Sequence, residues 1–145
     1  MNTIVMNTLT GAVSEYDGFA FQSITPAHAA SVMGLFALGG EDDAGNPIVS
    51  TITTGKAQQG SSLKKMLAAV YFAMKGTGAS TLTVHGEQAS YAYPFTGSPA
   101  GVARVRTGRG IRENYLAFAY SNTDGGAFQI DNIEVLLTES TNRRI

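Results

Sequence analysis

Four of the six arginines in this 145-residue chain lie within eleven consecutive residues, RVRTGRGIREN, at positions 104–114. Such a cluster binds phosphate groups, or it pairs with carboxylates where two proteins meet. A phosphate-binding loop has a lysine followed by Ser or Thr and then a helix, whereas GRGIREN has no lysine and precedes a strand-like segment. Arg104 and Arg106 lie two residues apart, so they share one face of a strand. The cluster therefore favours a protein interface.

The predicted interface adds the basic carboxyl terminus to this cluster. Gly108 and Gly110 are expected to let the backbone turn tightly or approach a second strand. The full predicted set is Arg104, Arg106, Gly108, Arg109, Gly110, Arg112, Arg143 and Arg144.

The other residue types that act in catalysis or metal binding do not have the spacing of known catalytic or metal-binding motifs. The acidic run EDDAGNP at 41–47 does not match the calcium loop of an EF-hand, and an acidic turn or a weak cation site remain as interpretations. His28 and His85 are not in an HxxxH or HExxH spacing, and no serine lies in a GxSxG motif. We therefore predict no catalytic residue, no metal and no cofactor, and we expect the protein not to be an enzyme.

Tyrosine and phenylalanine recur in the second half of the chain at strand spacing. Such rings stack on sugars, so a carbohydrate-binding surface that uses Tyr91, Tyr93 and Tyr115 is one hypothesis, with a host glycan as ligand. Packing in a core explains the aromatic set more simply. The set is Tyr91, Tyr93, Phe95, Tyr115, Phe118 and Tyr120.

Composition narrows the classes of partner. The net charge is −1, so there is no overall basic field to hold a nucleic acid. No segment approaches the ~20 apolar residues of a membrane span, and we expect no membrane insertion. The chain has no cysteine, so stability must come from packing, and its length fits one domain over 1–145.

Seventeen glycines, low charge and many β-branched and aromatic residues indicate an all-β fold. The segment TPAHAASVMG at 25–34 permits one short helix or a loop. The stretches LFALGG and IVSTITTG, with a turn between them, resemble a hairpin. Residues 62–75 fit both the periodicity of a helix and that of a strand. The GTGAS that follows favours a strand, with a tight hairpin into STLTVHG. As a strand, 62–75 would place Met66, Val70 and Phe72 on one face.

The remaining sequence alternates more clearly. In QASYAYPF the rings fall on one face, and in GVARVRTG Val102 lies opposite Ala103 and Val105. NYLAFAYSN and AFQIDNIEVLLTES are two further strands, separated by the turn sequence TDGG. Seven to nine short strands predict an antiparallel β-sandwich, jelly-roll-like or Ig-like.

Several stretches, in this order along the chain, resemble virion structural proteins of tailed bacteriophages that are encoded among tail genes. They are MNTLTGAVSEYDGFAFQSI, GLFALGGEDDAGNPI, KKMLAAVYFAMKGTG, GRGIRENYLAFAYSNTDGGAFQIDNIEV and the terminal RRI. The resemblance covers nearly the whole chain, from Met6 to Ile145. Where the family pattern has a basic residue and a tryptophan around the tyrosine, this chain has Glu113, Asn114 and Leu116.

The resemblance implies a non-enzymatic subunit of the particle, assembled in the host cytoplasm. Its implied place is the tail, at the tip, hub or baseplate, with a capsid decoration protein as the alternative. The implied partners are other virion proteins and further copies of the same chain. Rigid β domains that meet at strand edges and arginine side chains suit such a role.

Overall fold

The computed structural model describes residues 3–11, 13–16, 20–39, 42–43, 45–108 and 110–139. Every regular element in this part of the chain is a β-strand, which confirms the predicted all-β fold. The chain divides into two compact units, residues 1–45 and 46–145. One domain over the full length stays a prediction. The strands are β1 (Thr3–Met6), β2 (Val13–Tyr16), β3 (Ser23–Ile24), β4 (His28–Ser31), β5 (Gly34–Ala37), β6 (Asp42–Asp43), β7 (Asn46–Pro47), β8 (Thr51–Thr53), β9 (Lys65–Lys75), β10 (Ala79–His85), β11 (Ser90–Thr96), β12 (Gly101–Arg106), β13 (Arg112–Glu113), β14 (Ala117–Asn122) and β15 (Gln129–Glu139).

The first unit contains two small antiparallel sheets. Strands β1 and β2 form a hairpin, and the side-chain oxygen of Asn7 accepts hydrogen bonds from the N–H groups of Leu9 and Thr10 in the turn. Strands β3, β4 and β5 form a three-stranded meander. Ala29 is the buried hydrophobic residue of this unit among those described.

The short helix permitted at 25–34 is absent, and these residues form β4 and the start of β5. Thr25, a residue type typical of helix caps, closes a turn instead. Its hydroxyl accepts a hydrogen bond from the N–H of His28 at 3.0 Å, and its own N–H donates to the carbonyl of His28 at 2.8 Å. The chain then reverses and continues as a strand, because a serine or threonine side chain supports tight turns as well as helix starts.

The second unit contains a sandwich of two antiparallel sheets, as predicted. One sheet has the order β11, β10, β14, β8. In the other, β9 is central, β15 lies along one side, and β12 followed by β13 lies along the other. The sandwich has eight described strands, but the predicted seven to nine were for the whole chain, in which fifteen strands are described. The choice between a jelly-roll-like and an Ig-like topology stays a prediction.

Both sheets contribute to one hydrophobic core. Phe72 of β9 lies between Phe95 and Tyr120 of the opposite sheet, with ring centroids 5.3 and 5.6 Å away. The predicted faces of β11 and β12 are confirmed, since Tyr93 and Phe95 pack against the core and Val102 points away from it. The buried core residues are Leu67, Val70, Phe72, Met74, Leu82, Val84, Ala103, Val105, Ile111, Leu116, Phe118 and Tyr120.

The ambiguous segment 62–75 is a strand over Lys65–Lys75, as favoured, but its predicted faces are only half correct. Leu136 of β15 pairs with Ala69, whereas Leu137 pairs with Leu67, so β9 has one extra residue here. A β-bulge of this kind reverses the alternation of side chains beyond it. Leu67 therefore joins Val70 and Phe72 in the core, and Met66 does not.

The two predicted hairpins are absent, and the two strands joined by TDGG do not pair with each other either. Strand β5 pairs with β4, while β8 pairs with β14. The turn sequences GTGAS and TDGG carry the chain from one sheet of the sandwich to the other, because β9 and β15 share a sheet, and β10 and β14 share the opposite one. Glycine-rich turns predict where a chain changes direction. They do not predict which strand it meets next.

Side chains fix these crossings. The Asp124 carboxylate accepts hydrogen bonds from the N–H groups of Gly126, at 3.0 Å, and Ala79, at 2.6 Å, and these bonds lower the pKa of Asp124. The buried side-chain amide of Asn122 makes three hydrogen bonds to two other segments. It accepts from the N–H of Ser50 and donates to the carbonyls of Ile48 and Gly126.

Two backbone segments also pass close to each other, one just after the end of β9 and one just after the end of β11. The N–H of Gly97 donates to the carbonyl of Gly78 at 3.1 Å, and the N–H of Gly76 donates to the carbonyl of Ser98 at 2.8 Å. A Cβ atom at Gly97 would collide with the carbonyl oxygen of Gly76. The two backbones can therefore cross at this distance only because Gly97 has no side chain.

Candidate protein interface

The arginine-rich segment forms one edge of the second sheet. Arg106 pairs with Ala69, and Arg112 pairs with Met66, so the edge advances by six positions while β9 advances by three. Three extra residues therefore leave the ladder between β12 and β13. This segment is anchored at both sides, because Thr107 Oγ1 donates to the carbonyl of Leu67 at 2.9 Å and Ile111 is buried.

The predicted interface residues are only partly brought together. Arg104, Arg106 and Arg112 are exposed along this edge. Gly108 and Gly110 lie in the extra segment between them. Their membership of an interface stays a prediction. The remaining three predicted residues, Arg109, Arg143 and Arg144, lie outside the described residues.

The described chain itself gives no reason for glycine at positions 108 and 110, and their role at a contact with another chain stays a prediction. An added Cβ at Gly108 or Gly110 meets no atom within 4 Å, and neither has a positive φ angle. Neither a left-handed turn nor a close backbone approach therefore requires glycine at these positions. The glycines that are needed are elsewhere, as at Gly97.

The outward face of the second sheet places charged residues in one row. Arg104 pairs with Tyr71, and Tyr71 pairs on its other side with Glu134. The guanidinium carbon of Arg104 lies 5.4 Å from the centre of the Tyr71 ring, within the range of a cation-π contact. Arg104 and Glu134 are both exposed. Sequence analysis missed Glu134, although its alternation with Ile133 and Val135 indicates an outward direction.

A shallow depression of about 200 Å³ lies beside this row. Its floor is the small side chain of Ala73, and the neighbouring positions across the sheet are Val102 on β12 and Asn132 on β15. Val102 is 61% exposed. The face is thus a mixture of apolar and charged side chains. The lining residues are Tyr71, Ala73, Val102, Asn132 and Glu134.

The two edges of this sheet carry opposite charge. The β12 edge has its exposed arginines, whereas the β15 edge has exposed Asp131, Glu134 and Glu139. Both β12 and β15 hydrogen-bond to β9 on one side, and no described strand pairs with the other side of either. Each edge therefore offers free backbone N–H and C=O groups.

The first unit presents an unusual amount of apolar surface. Nine of its described large aliphatic side chains are between 40 and 95% exposed. They are Ile4, Met6, Leu9, Val13, Ile24, Val32, Met33, Leu35 and Leu38.

The tyrosines proposed for sugar binding do not form one platform. Tyr93 packs against the core, while Tyr91 and Tyr115 are partly exposed. The Tyr115 hydroxyl accepts a hydrogen bond from the side-chain amide of Gln58 at 2.8 Å. Tyr91 and Tyr93 lie on β11, and Tyr115 lies outside any strand.

The acidic run and the histidines are placed as ordinary polar groups. Asp42 and Asp43 are exposed, and Asp42 Oδ1 accepts a hydrogen bond from the N–H of Gly45 at 3.1 Å, as in an acidic turn. His85 Nδ1 lies 2.8 Å from Ser90 Oγ. Among the described residues no group of three His, Asp or Glu side chains is placed to hold a metal ion.

The described part of the chain has no helix long and apolar enough to cross a membrane. Comparisons of the sequence with protein-family models and curated proteins, and of the chain with solved structures, give no match.

Proposed function

We propose that the protein is a non-enzymatic structural subunit of a tailed-phage virion that acts through protein-protein contacts. Its proposed place is the tail, at the tip, hub or baseplate, and it is assembled in the host cytoplasm. The observation that carries the proposal is the exposed apolar surface of the first unit.

The physical argument concerns the size of this unit. The unit has 45 residues, close to the size of about 40 residues below which a chain usually needs disulfides, a metal or association with further protein to be stable. The sequence has no cysteine, and nine large aliphatic side chains of the unit are exposed. Covering an apolar side chain of this size stabilises by roughly 1.5–3 kcal/mol. A protein partner that covers several of them supplies what the unit lacks.

The second unit supports the same proposal with a different kind of surface. Its outward sheet face combines exposed Arg104, Arg106 and Val102 with two edges at which no described strand pairs. Exposed strand edges promote aggregation unless another chain or element covers them. Assembly into a particle covers such edges, and the resemblance of the sequence to phage tail-gene products gives the class of particle.

The direct test is to purify particles of the virus that encodes this chain and to measure the copies of the chain per particle by quantitative mass spectrometry. A few copies per particle are expected for a tail component. Hundreds of copies would place the subunit on the capsid as a decoration protein and overturn the tail location. Absence of the chain from intact particles, with the chain abundant in the lysate, would overturn the proposal. A glycan array checks the carbohydrate hypothesis separately, and we expect no binding.

A further inference from the structure

We propose that copies of this chain join edge to edge, with β15 of one copy lying beside β12 of the next, so that the second sheet continues from copy to copy. This inference names a partner for the proposed structural subunit and rests on that function. The sandwich has four edges at which no described strand pairs further, and these edges differ in their suitability for a partner.

The edges of the first sheet are poorly suited to pairing. Strand β8 has only three residues, Thr51–Thr53. Strand β11 contains Pro94, which has no N–H group to donate to a neighbouring strand. The edges of the second sheet have neither defect, since β12 has six residues, β15 has eleven, and both lack proline.

Charge then determines which edge meets which. Two β12 edges would bring arginines together, and two β15 edges would bring carboxylates together. A β12 edge beside a β15 edge opposes the two signs. An interface between two different surfaces of the same chain is heterologous, so an open assembly keeps one free edge at each end, and it either closes as a ring or continues to grow as a filament.

The register of the sheet gives the residue pairs at this joint. Strands β12 and β15 are both antiparallel to β9, so they run parallel to each other. If copies are related by rotation about an axis along the strands, residues in the same row keep the same height. Because Arg104, Tyr71 and Glu134 form one row, Glu134 of one copy meets Arg104 of the next. Neighbouring strands lie about 4.7–4.9 Å apart, so side chains of one row on adjacent strands are about 5 Å apart.

A charge-reversal experiment on the full chain tests this pair. The association state of the wild type, Arg104→Glu, Glu134→Arg and the double variant is measured by native mass spectrometry and sedimentation. We expect wild-type assemblies larger than dimers, a weakening of about tenfold or more in each single variant, and recovery in the double variant. Lys56→Glu and Glu87→Arg are matched controls, because both residues are exposed outside the second sheet. They should leave association unchanged.

Disulfide trapping tests the same geometry independently, since the chain has no cysteine of its own. Val102 and Asn132 occupy one row, on either side of Ala73. Within a chain they are two strand spacings apart, about 9.5 Å, which is beyond the reach of a disulfide. In the proposed joint they are neighbours. Oxidised Val102→Cys/Asn132→Cys protein should give a ladder of covalent multimers, whereas Val102→Cys/Glu87→Cys should not.

Several outcomes would overturn the inference. They are a wild type that remains monomeric up to about 1 mM, assembly that stops at dimers, and multimers unaffected by both single charge reversals. Circular dichroism and thermal melting of each variant identify any loss of association that comes from misfolding. A chain present in particles but lacking this joint would refute the inference alone. A chain that forms the joint but is absent from particles would refute only the proposed function.

Discussion

Removal of one hydroxyl from the centre of the sandwich should measurably destabilise it. Tyr120 of β14 is 2% exposed, and its hydroxyl lies 2.9 Å from the hydroxyl of Ser80 on β10, which is also buried. Tyr120→Phe keeps the ring and its contact with Phe128, whose centroid lies 4.7 Å away. The substitution therefore removes the hydrogen bond without opening a large cavity. Ser80 is left with only a long contact of 3.4 Å to the carbonyl of Gly78.

The expected magnitude follows from the burial of both partners. A buried polar group that loses its partner costs about 1–3 kcal/mol, and a domain of this size has roughly 5–15 kcal/mol of stability. Tyr120→Phe and Ser80→Ala should each lower the free energy of unfolding by about 1–2 kcal/mol. Each kcal/mol corresponds to a fall in Tm of roughly 4–8 °C. Replacing both partners by apolar groups should cost less than the sum of the two single changes, because no hydroxyl then remains unpaired.

Urea unfolding followed by far-UV circular dichroism is the appropriate assay, since the chain has no tryptophan to report by fluorescence. The double-mutant cycle over Tyr120 and Ser80 should give a coupling energy of about 0.5–1.5 kcal/mol. Strictly additive effects, or single variants as stable as the wild type, would refute the idea that this hydroxyl pair stabilises the core.

Three further predictions concern the crossings and the two units. Asp124→Asn should destabilise the protein at neutral pH, because a carboxylate with a lowered pKa stabilises the fold only when it is ionised. The difference in free energy of unfolding from the wild type should shrink as the pH falls below the ordinary carboxyl pKa of about 3.9 and through the lowered pKa of Asp124. Urea unfolding from pH 7 to pH 2 measures this difference. Gly97→Ala should cost about 1–3 kcal/mol through its collision with backbone, whereas Gly108→Ala should change the free energy of unfolding by less than about 0.5 kcal/mol, and equal effects would contradict the crossing. A fragment of residues 46–145 should unfold cooperatively because it contains the core cluster, while a fragment of residues 1–45 should lack a cooperative transition as a monomer.

The sequence predicts the strands of the second unit better than it predicts their partners. Alternation identifies the inward face of β11 and of β12, because residue type there changes from one position to the next with the face that the position occupies. The bulge in β9 changes that parity at Ala69, and nothing in a run of apolar residues such as MLAAVYF indicates where it occurs. Glycine-rich turns at GTGAS and TDGG are visible, but whether a chain continues in the same sheet depends on packing over the whole sandwich.

The residues of the candidate interface are likewise only partly predictable from the sequence. Sequence proximity groups Arg104 with Arg106 and Arg112, and the structure places these three exposed along one edge. Glu134 lies 30 residues beyond Arg104 in the chain, and only the register through β9 puts the two in one row. A carboxylate that shares a row with an arginine across an intervening strand cannot be identified from sequence spacing. Its only local signal is that it points away from Ile133 and Val135.

In the proposed assembly, the apolar surface of the first unit and the charged edges of the second sheet differ in physical role. The apolar side chains of the first unit supply free energy through burial but little direction, because the hydrophobic effect is proportional to area. The charged edges of the second sheet contribute less free energy, since exposed ion pairs are worth about 0–1 kcal/mol. In the proposed joint, strand pairing and the row of opposite charges instead determine which edge meets which and at what register. A subunit that repeats regularly in a particle needs both properties, because apolar contact alone permits many arrangements and edge pairing alone is weak.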